Sequence, residues 1–314
     1  VTNQLLIHPW QKTPQIKIET YFHERPPVWS LVMPVFNQEK RLIGVLEKII
    51  KNAQFGFEII LIDDGSDDNS IAQVHQFMES MRKSPNSKVI SITLIHNPVP
   101  VFETACDNQG FRMAKAEYVI EIQADLQIEE ANFDAKMIGA MNKFSLGAVS
   151  GRHVHSFSML EGRRAWFKYP LQLALWRILR VGKEEGWGRL GNKIFQRLES
   201  AEDYCYVGET VARGPWLLRK TDLEKFNYLD EENFYLGNDD HDLHRRMYLK
   251  DRKKVGYVPL DVHSISEDGS TRKPRSGINQ KVYDFLKNNK NGSQEFRRFM
   301  KRYRPYLRLE KYRL

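Results

Sequence analysis

Continuous apolar runs and helical periods alternate along the first half of the chain. Ser30-Leu31-Val32-Met33-Pro34 is an apolar run closed by a proline, the pattern of a buried strand ending at a loop. From Asn37 to Asn52 the apolar residues Leu42, Ile43, Leu46, Ile49 and Ile50 recur at spacings of three and four, which predicts a helix. Glu58-Ile59-Ile60-Leu61-Ile62 predicts a second buried strand, running into Asp63-Asp64-Gly65-Ser66. Residues 70–83 return to a helical rhythm through Ile71, Val74, Phe77, Met78 and Met81. Val89 to Leu94 predicts a third strand, and residues 103–116 a helix with Gly110 inside it. Tyr118-Val119-Ile120-Glu121-Ile122 predicts a fourth strand, followed by Gln123-Ala124-Asp125. Strand and helix in alternation predict an α/β fold, with a central mostly parallel (mixed) sheet and helices on both faces. Polar residues gather at the carboxyl ends of the strands, where such sheets bind ligands.

The second half is less periodic. Ala148 to Arg152 and Val255 to Pro259 predict strands, and a helix is expected from the segment Gly237 to Leu243 through Lys250. Residues 165–181 predict a packed apolar helix, with a membrane-dipping one as the alternative. Residues 182–192 hold four glycines and read as a mobile loop. Residues 1–27 read as an irregular lead-in ending in Arg25-Pro26-Pro27. The expected organisation is this lead-in, a domain over 28–270 with halves 28–150 and 151–270, and a basic extension over 271–314.

Charge sharpens that division. The chain has 48 basic and 40 acidic residues among 314, a formal net charge of +8. Fourteen of the basic and three of the acidic residues lie between Arg272 and Leu314, so the rest carries 34 and 37 and is nearly neutral. A nearly neutral body argues against nucleic-acid binding. Two cysteines, Cys106 and Cys205, exclude a disulfide scaffold. No long uncharged apolar stretch predicts a transmembrane helix, and the opening residues do not read as a signal peptide, so a cytoplasmic location, or a peripheral one on the membrane face, is expected.

Three polar constellations carry candidate chemistry. Asp63-Asp64-Gly65-Ser66 places two carboxylates where a buried strand turns. They could accept hydrogen bonds from a base or sugar hydroxyl, or simply form an Asp-rich turn with a serine helix cap. Gln123-Ala124-Asp125 puts positions 123 and 125 on one side of an extended chain, and Asp125 could ligate a hard divalent cation. Asp239-Asp240-His241-Asp242 crowds three carboxylates into four residues. Crowding raises the proton affinity of one member toward a general base, and a helix start would also favour acids there. His263, after the last predicted strand, could be a metal or phosphate contact. The chain lacks the phosphate loop GxxxxGK[ST], a GxGxxG after the first strand, and a GxSxG elbow, so P-loop, dinucleotide-oxidoreductase and serine-hydrolase readings are unsupported.

Taken in order, Pro34-Val35-Phe36-Asn37-Gln38-Glu39, Ile60 to Ser66, Asn108-Gln109-Gly110 with Ala114, Tyr118 to Asp125, Arg213-Gly214-Pro215 and Gly237 to Leu243 resemble a family 2 glycosyltransferase with the GT-A fold. The resemblance covers about residues 30 to 265. It implies a Rossmann-like nucleotide-binding half and an inverting transfer from a nucleotide-diphosphate sugar to an acceptor hydroxyl of a glycan or lipid-linked glycan. It further implies that Pro34, Phe36 and Glu39 surround the nucleotide, and that Asp63 or Asp64 contacts the base or ribose. Asp125 would match the last aspartate of the family's D-x-D motif, the ligand for Mn2+ or Mg2+, with Gln123 in place of the first. Asp240 would match the catalytic base and Asp239 would support it. His263 resembles a further metal or diphosphate ligand. Arg213 is a candidate basic helper for the departing diphosphate, alongside Arg112 and Arg152, and Trp166, Trp176, Trp187 and Trp216 are candidates for stacking on sugar rings.

The tail repeats Phe296, Phe299, Met300, Tyr303 and Leu307 at helical spacing among arginines and lysines. Such a helix would either dock on anionic lipid or pack its apolar side on the body. Two rival classes remain beside the transferase: a nucleotidyltransferase, which wants a glycine-rich basic loop that residues 34–40 lack, and a non-catalytic GT-A-like module recruited through the basic tail.

Overall fold

Residue alternation along the two innermost strands sorts the core into two layers. The computed structural model describes residues 16–151, 154–155, 204–264, 277–302 and 310–314. Strand β2 (Trp29–Val35) lies parallel to β3 (Phe57–Asp63) over its whole length, from Trp29 opposite Phe57 to Val35 opposite Asp63. Leu31, Met33, Ile59 and Leu61 face one side. There they pack with helices α1 (Leu42–Asn52), α2 (Ser70–Lys83) and α4 (Phe133–Lys143). Val32, Ile60 and Ile62 face the other side, against Phe111 of α3 (Glu103–Met113). Side chains alternate across a strand, so a sheet covered by helices on both faces requires the continuous apolar runs seen here.

The sheet is mixed and ten-stranded among the described residues. Its parallel half runs β4 (Val89–His96), β3, β2, β5 (Tyr118–Glu121). Its second half adds β11 (Trp216–Arg219), antiparallel to β5 and to β7 (Ala148–Ser150), then β12 (Val255–Tyr257), parallel to β7. Last come β9 (Tyr204–Gly208) and β14 (Glu310–Arg313), both joined antiparallel. Two short pairs lie outside it. One joins β8 (Val154–His155) to β10 (Thr210–Val211), the other β6 (Leu126–Ile128) to β13 (Val262–Ser264). Helices α5 (Lys220–Lys225) and α6 (Asp239–Asp251) complete the body.

Close approach explains Gly110. A Cβ there would stand 2.4 Å from Val32 Cγ1 and 2.9 Å from Ile62 Cδ1, so only glycine lets α3 lie this near β2 and β3. At the other layer Trp29 stacks on Phe57 at 4.2 Å, and its indole N–H donates to Asp134 Oδ2 at 2.9 Å. Asp134 also accepts the backbone N–H groups of Gln54 and Phe55, so this buried carboxylate is satisfied on three sides.

One expectation needs correction. The lead-in is not irregular over its described part. Ile16–Tyr21 is an edge strand, β1, antiparallel to β4, with Ile18 packed on the core. The tail does not stand apart from the body. Helix α7 (Gly277–Asn289) buries Val282 and Leu286 against Phe102, and Phe296 of α8 (Gln294–Arg302) meets Phe234 edge to face at 5.0 Å. Arg245 pairs with Glu295 at 3.1 Å, and β14 closes the sheet edge. Of the tail helix's apolar positions, Phe296 packs on the body, and the side chains of Phe299 and Met300 lie outside the described ones. The apolar segment 165–181, the loop 182–192, Arg152, Trp166, Trp176, Trp187, Tyr303 and Leu307 lie outside the described residues. Among the described residues no helix is long and apolar enough to cross a membrane.

Candidate active site

Loops leave the carboxyl ends of β2, β3 and β5 side by side, where a parallel sheet opens its ligand crevice. The first two loops are laced together. Asn37, at a φ of 52°, donates through its backbone to Ser66 Oγ and exchanges side-chain hydrogen bonds with Asp67. Gln38 N–H donates to Ser70 Oγ, and Glu39 N–H to Asp68 Oδ2 at 3.0 Å. Glu39 Oε2 in turn accepts the Asn69 N–H at 3.1 Å. Phe36 is half-buried, and its carbonyl accepts from Gln38 Nε2. Pro34 is the last residue but one of β2, opposite Ile62. Pro34, Phe36 and Glu39 therefore frame one rim, and Glu39 shapes that rim through its own hydrogen bonds.

The two aspartates after β3 have different employment. Asp64 accepts the backbone N–H groups of Val101 at 2.7 Å and Phe102 at 3.0 Å. Burial pushes its carboxyl up to about 6, against the pull of those two donors. Asp64 thus fixes the entry to α3, where Phe102 takes a φ of 70°. Asp63 Oδ2 meets His96 Nδ1 at 2.8 Å and the N–H groups of Gly65 and Ser66 at 3.3 Å. Its Oδ1 is buried and has no hydrogen-bond partner among the described residues. Of the pair, Asp63 is the one with an acceptor atom in hand.

Past β5, Gln123 Nε2 donates to Glu103 Oε1 at 3.3 Å, and Asp125 is half-buried. His263 is exposed on β13, opposite Gln127 of β6, and its Nε2 lies 2.8 Å from Asp261 Oδ1. Among the described residues no three His, Cys, Asp or Glu side chains gather as a metal site. Asp125 by itself suits a magnesium-type ion, which takes one or two carboxylates and completes its shell with phosphate oxygens and water.

Below this crevice lies a buried ionic cluster. Arg213 Nη1 meets Glu103 Oε1 at 3.1 Å and also pairs with Asp107, while Nη2 lies 2.7 Å from Asp239 Oδ1. Its guanidinium lies 5.1 Å from the Trp216 ring centroid. Glu121, fully buried in the same electrostatic neighbourhood, has no hydrogen-bond partner for either oxygen among the described residues. Four carboxylates thus surround this cation, and burial with mutual repulsion drives the proton affinity of Glu103, Asp107 and Glu121 upward. Asp107 is pushed up to about 8, by burial first and then by Glu103 and Asp239 against the opposing Arg213. Glu103 is raised by burial, and Glu121 rises far above the usual carboxylate range for the same reason, aggravated by Asp107. Burial works against the charge on Arg213, and the surrounding carboxylates outweigh it. Arg213 was expected beside the departing diphosphate. Its named contacts all lie inside the protein.

Asp239 and Asp240 open helix α6. Gly237 and Asn238 take φ values of 69° and 63°, so the chain enters the helix abruptly. Asp239 is fully buried, with Oδ1 accepting the Asp240 N–H and Oδ2 the Thr104 hydroxyl at 2.7 Å. Asp240 is 7% exposed and accepts the His241 N–H at 2.7 Å through Oδ1. Asp239 is thus held inside the protein, and Asp240 lies nearer the surface. Trp216 is fully buried and belongs to the core rather than to a sugar platform. Sequence reasoning passed over Glu103, Thr104, Asp107 and Glu121. The one visible signal was a glutamate inside the apolar run 118–122.

A family model described as Glycosyl transferase family 2 matches residues 30–202. The undecaprenyl-phosphate 4-deoxy-4-formamido-L-arabinose transferase of Proteus mirabilis is 36% identical over 101 residues, 31% of this chain and 29% of that protein. The dolichyl-phosphate beta-glucosyltransferase of Dictyostelium discoideum is 28% identical over 136 residues, 40% of each chain. The chain thus covers well under half the length of these curated relatives. The mannosyltransferase PcManGT from Pyrobaculum calidifontis, solved with GDP-Man and Mn2+, aligns over 93% of this chain and 73% of its own, with a TM-score of 0.52 and 15% identity. GalNAc-T7, solved with UDP, GalNAc and Mn2+, aligns over 84% of this chain and 48% of its own, with a TM-score of 0.53 and 15% identity. Both likenesses concern the fold, which is of the GT-A type.

Proposed function

The chain belongs to glycosyl transferase family 2, and on that premise we propose that it moves a sugar from a nucleotide-diphosphate donor to an acceptor hydroxyl of a glycan or lipid-linked glycan, with inversion. That it is a glycosyltransferase follows from its family. The finer reading rests on one observation. Asp240 stands in the first turn of α6 on an Asp239 held by Arg213 and Thr104, and the same Arg213 shares Glu103 with Gln123 at the end of β5. Donor-side strand and acceptor-side helix are thereby held in one network.

Asp63, with its uncommitted buried oxygen, is the residue for the base or ribose, and the laced loop of Pro34, Phe36 and Glu39 forms the nucleotide rim. Asp240 takes the proton of the attacking hydroxyl, a weak nucleophile that needs a correctly placed base. A divalent cation, Mn2+ or Mg2+, would be held by Asp125 and would neutralise charge on the departing diphosphate.

Two relatives named for polyprenyl phosphates favour a second reading, in which the acceptor is a lipid phosphate. A phosphate oxygen is already ionised and needs no base. Asp240→Asn separates the two. With UDP-, GDP-, dTDP- and CMP-sugars screened by nucleotide release, a hydroxyl acceptor predicts loss of turnover in Asp240→Asn with donor binding retained. Turnover that persists in the variant removes Asp240 as the base. The metal role is checked in the same screen with manganese, magnesium or EDTA. Donor binding that keeps the same metal dependence in Asp125→Ala removes Asp125 as the ligand.

A further inference from the structure

Next to Asp240, a row of four side chains runs from the core to the surface. Trp216 and His244 are fully buried, Thr210 is fully buried on β10, and His241 is half-buried. His241 and His244 lie three residues apart and so share one face of α6. The contacts run in sequence. Trp216 Nε1 donates to His244 Nε2 at 3.2 Å, His244 Nδ1 lies 3.0 Å from Thr210 Oγ1, and Thr210 Oγ1 lies 2.8 Å from His241 Nδ1.

Donor counting gives this row a direction. An indole nitrogen is a donor only. His244 Nε2 must therefore accept, which leaves the ring neutral with its proton on Nδ1. Burial acts the same way, holding His244 well below the usual imidazole range, helped by the neighbouring His241, Arg213 and Arg246. His244 Nδ1–H then donates to Thr210. Thr210 has one proton to give, and among the described residues the other partner of its Oγ1 is His241 Nδ1, so that nitrogen is the acceptor. His241 Nδ1 receives that proton, so the His241 ring carries its own on Nε2.

The position of His241 makes this consequential. Its Nδ1 lies 3.6 Å from Asp240 Oδ1, and its backbone N–H donates to the same oxygen at 2.7 Å. An imidazolium at that distance would pair with the carboxylate and lower its affinity for a proton. A neutral ring leaves the carboxylate free of that counter-charge. We propose that Trp216, His244 and Thr210 form a directed hydrogen-bond chain that holds the His241 imidazole neutral and Nε2-protonated, making His241 a positioning residue for Asp240. The role in turnover rests on the reading of Asp240 as base; the ring states do not.

The test reads the ring states directly. The full chain, labelled with 15N-histidine and free of ligand, is examined at pH 7 by long-range 1H–15N correlation. The expected spectrum has His244 protonated at Nδ1 only and His241 at Nε2 only. An imidazolium at His241, or a proton on its Nδ1, overturns the proposal without any variant. Thr210→Val removes the hydroxyl at nearly constant shape. His241 should then mix tautomers, because the hydrogen bond that selects the Nε2-protonated ring is lost. Thr210→Ser should restore the wild-type spectrum. An unchanged spectrum in Thr210→Val overturns the proposal. With the donor identified by nucleotide release, Thr210→Val should lower kcat several-fold with the donor KM unchanged, and Thr210→Ser should recover it. An unaltered kcat overturns the positioning role. Turnover surviving in Asp240→Asn instead removes the base reading, and the NMR result stands apart from that.

Discussion

Arg213→Met is the sharpest perturbation of this fold. It keeps an unbranched apolar stem and removes the cation that, among the described residues, lies between Glu103, Asp107, Glu121 and Asp239. Removing one partner of a buried ion pair costs about 3–5 kcal/mol, because the charges left behind lie away from water. The carboxylates have a partial escape, which is to take up protons. Asp107 already binds one up to about pH 8 with Arg213 in place, and without it the proton affinity of the cluster rises further. The loss should therefore be fullest at alkaline pH and shrink as acid protonates the cluster. At pH 8.5 a cost of 3–5 kcal/mol corresponds to a Tm lower by about 10 °C, given the usual ~2–4 °C per kcal/mol for chains of somewhat smaller size. Thermal and urea unfolding of wild type and variant at pH 8.5 and 5.5 measure both quantities. A loss below about 1 kcal/mol at pH 8.5, or one that does not diminish at pH 5.5, refutes the picture of four carboxylates dependent on a single guanidinium.

Wild-type stability should itself fall as pH rises from about 5 to 8. Folded Asp107 keeps its proton up to about pH 8, whereas an ordinary aspartate near 3.8 has released it. The stabilising contribution is full below the unfolded value and is lost as pH climbs through the folded one. Asp107→Asn should flatten that slope, as read by Tm across the range. Gly110→Ala drives a methyl into Val32 Cγ1 and Ile62 Cδ1, so chemical denaturation should show a loss of about 1–3 kcal/mol. Phe296→Ala empties the buried contact with Phe234. It should cost about 3–5 kcal/mol by the same method if the tail is part of the core, and close to nothing if it is not.

Local periodicity carried much of this protein. The runs at 30–34, 58–62 and 118–122 read as strands buried on both faces, because consecutive apolar residues put apolar side chains on both sides of an extended chain. Helices α1 and α2 followed from spacing, and the ordered polar segments at the strand ends pointed to the family. β1 was missed although Ile16, Ile18 and Thr20 alternate with Lys17, Glu19 and Tyr21. That is the period of an edge strand, half-buried in front of β4. Other decisions belonged to the tertiary structure alone. Asp63 and Asp64 are adjacent and chemically identical, and what separates them is that backbone N–H groups forty residues away reach one and not the other. Gln123 faces Glu103, where a second carboxylate would meet repulsion in place of a hydrogen bond. Arg213 carries a charge that any sequence reader would send to a phosphate, yet it serves Glu103, Asp107 and Asp239 from segments about 110, 106 and 26 residues distant. Sequence determines which stretches bury and at what period, since that is a local matter of sterics and water. What a polar side chain does is decided by which partners the fold brings within about 3 Å of it, the reach of a hydrogen bond, and those partners come from any point in the chain.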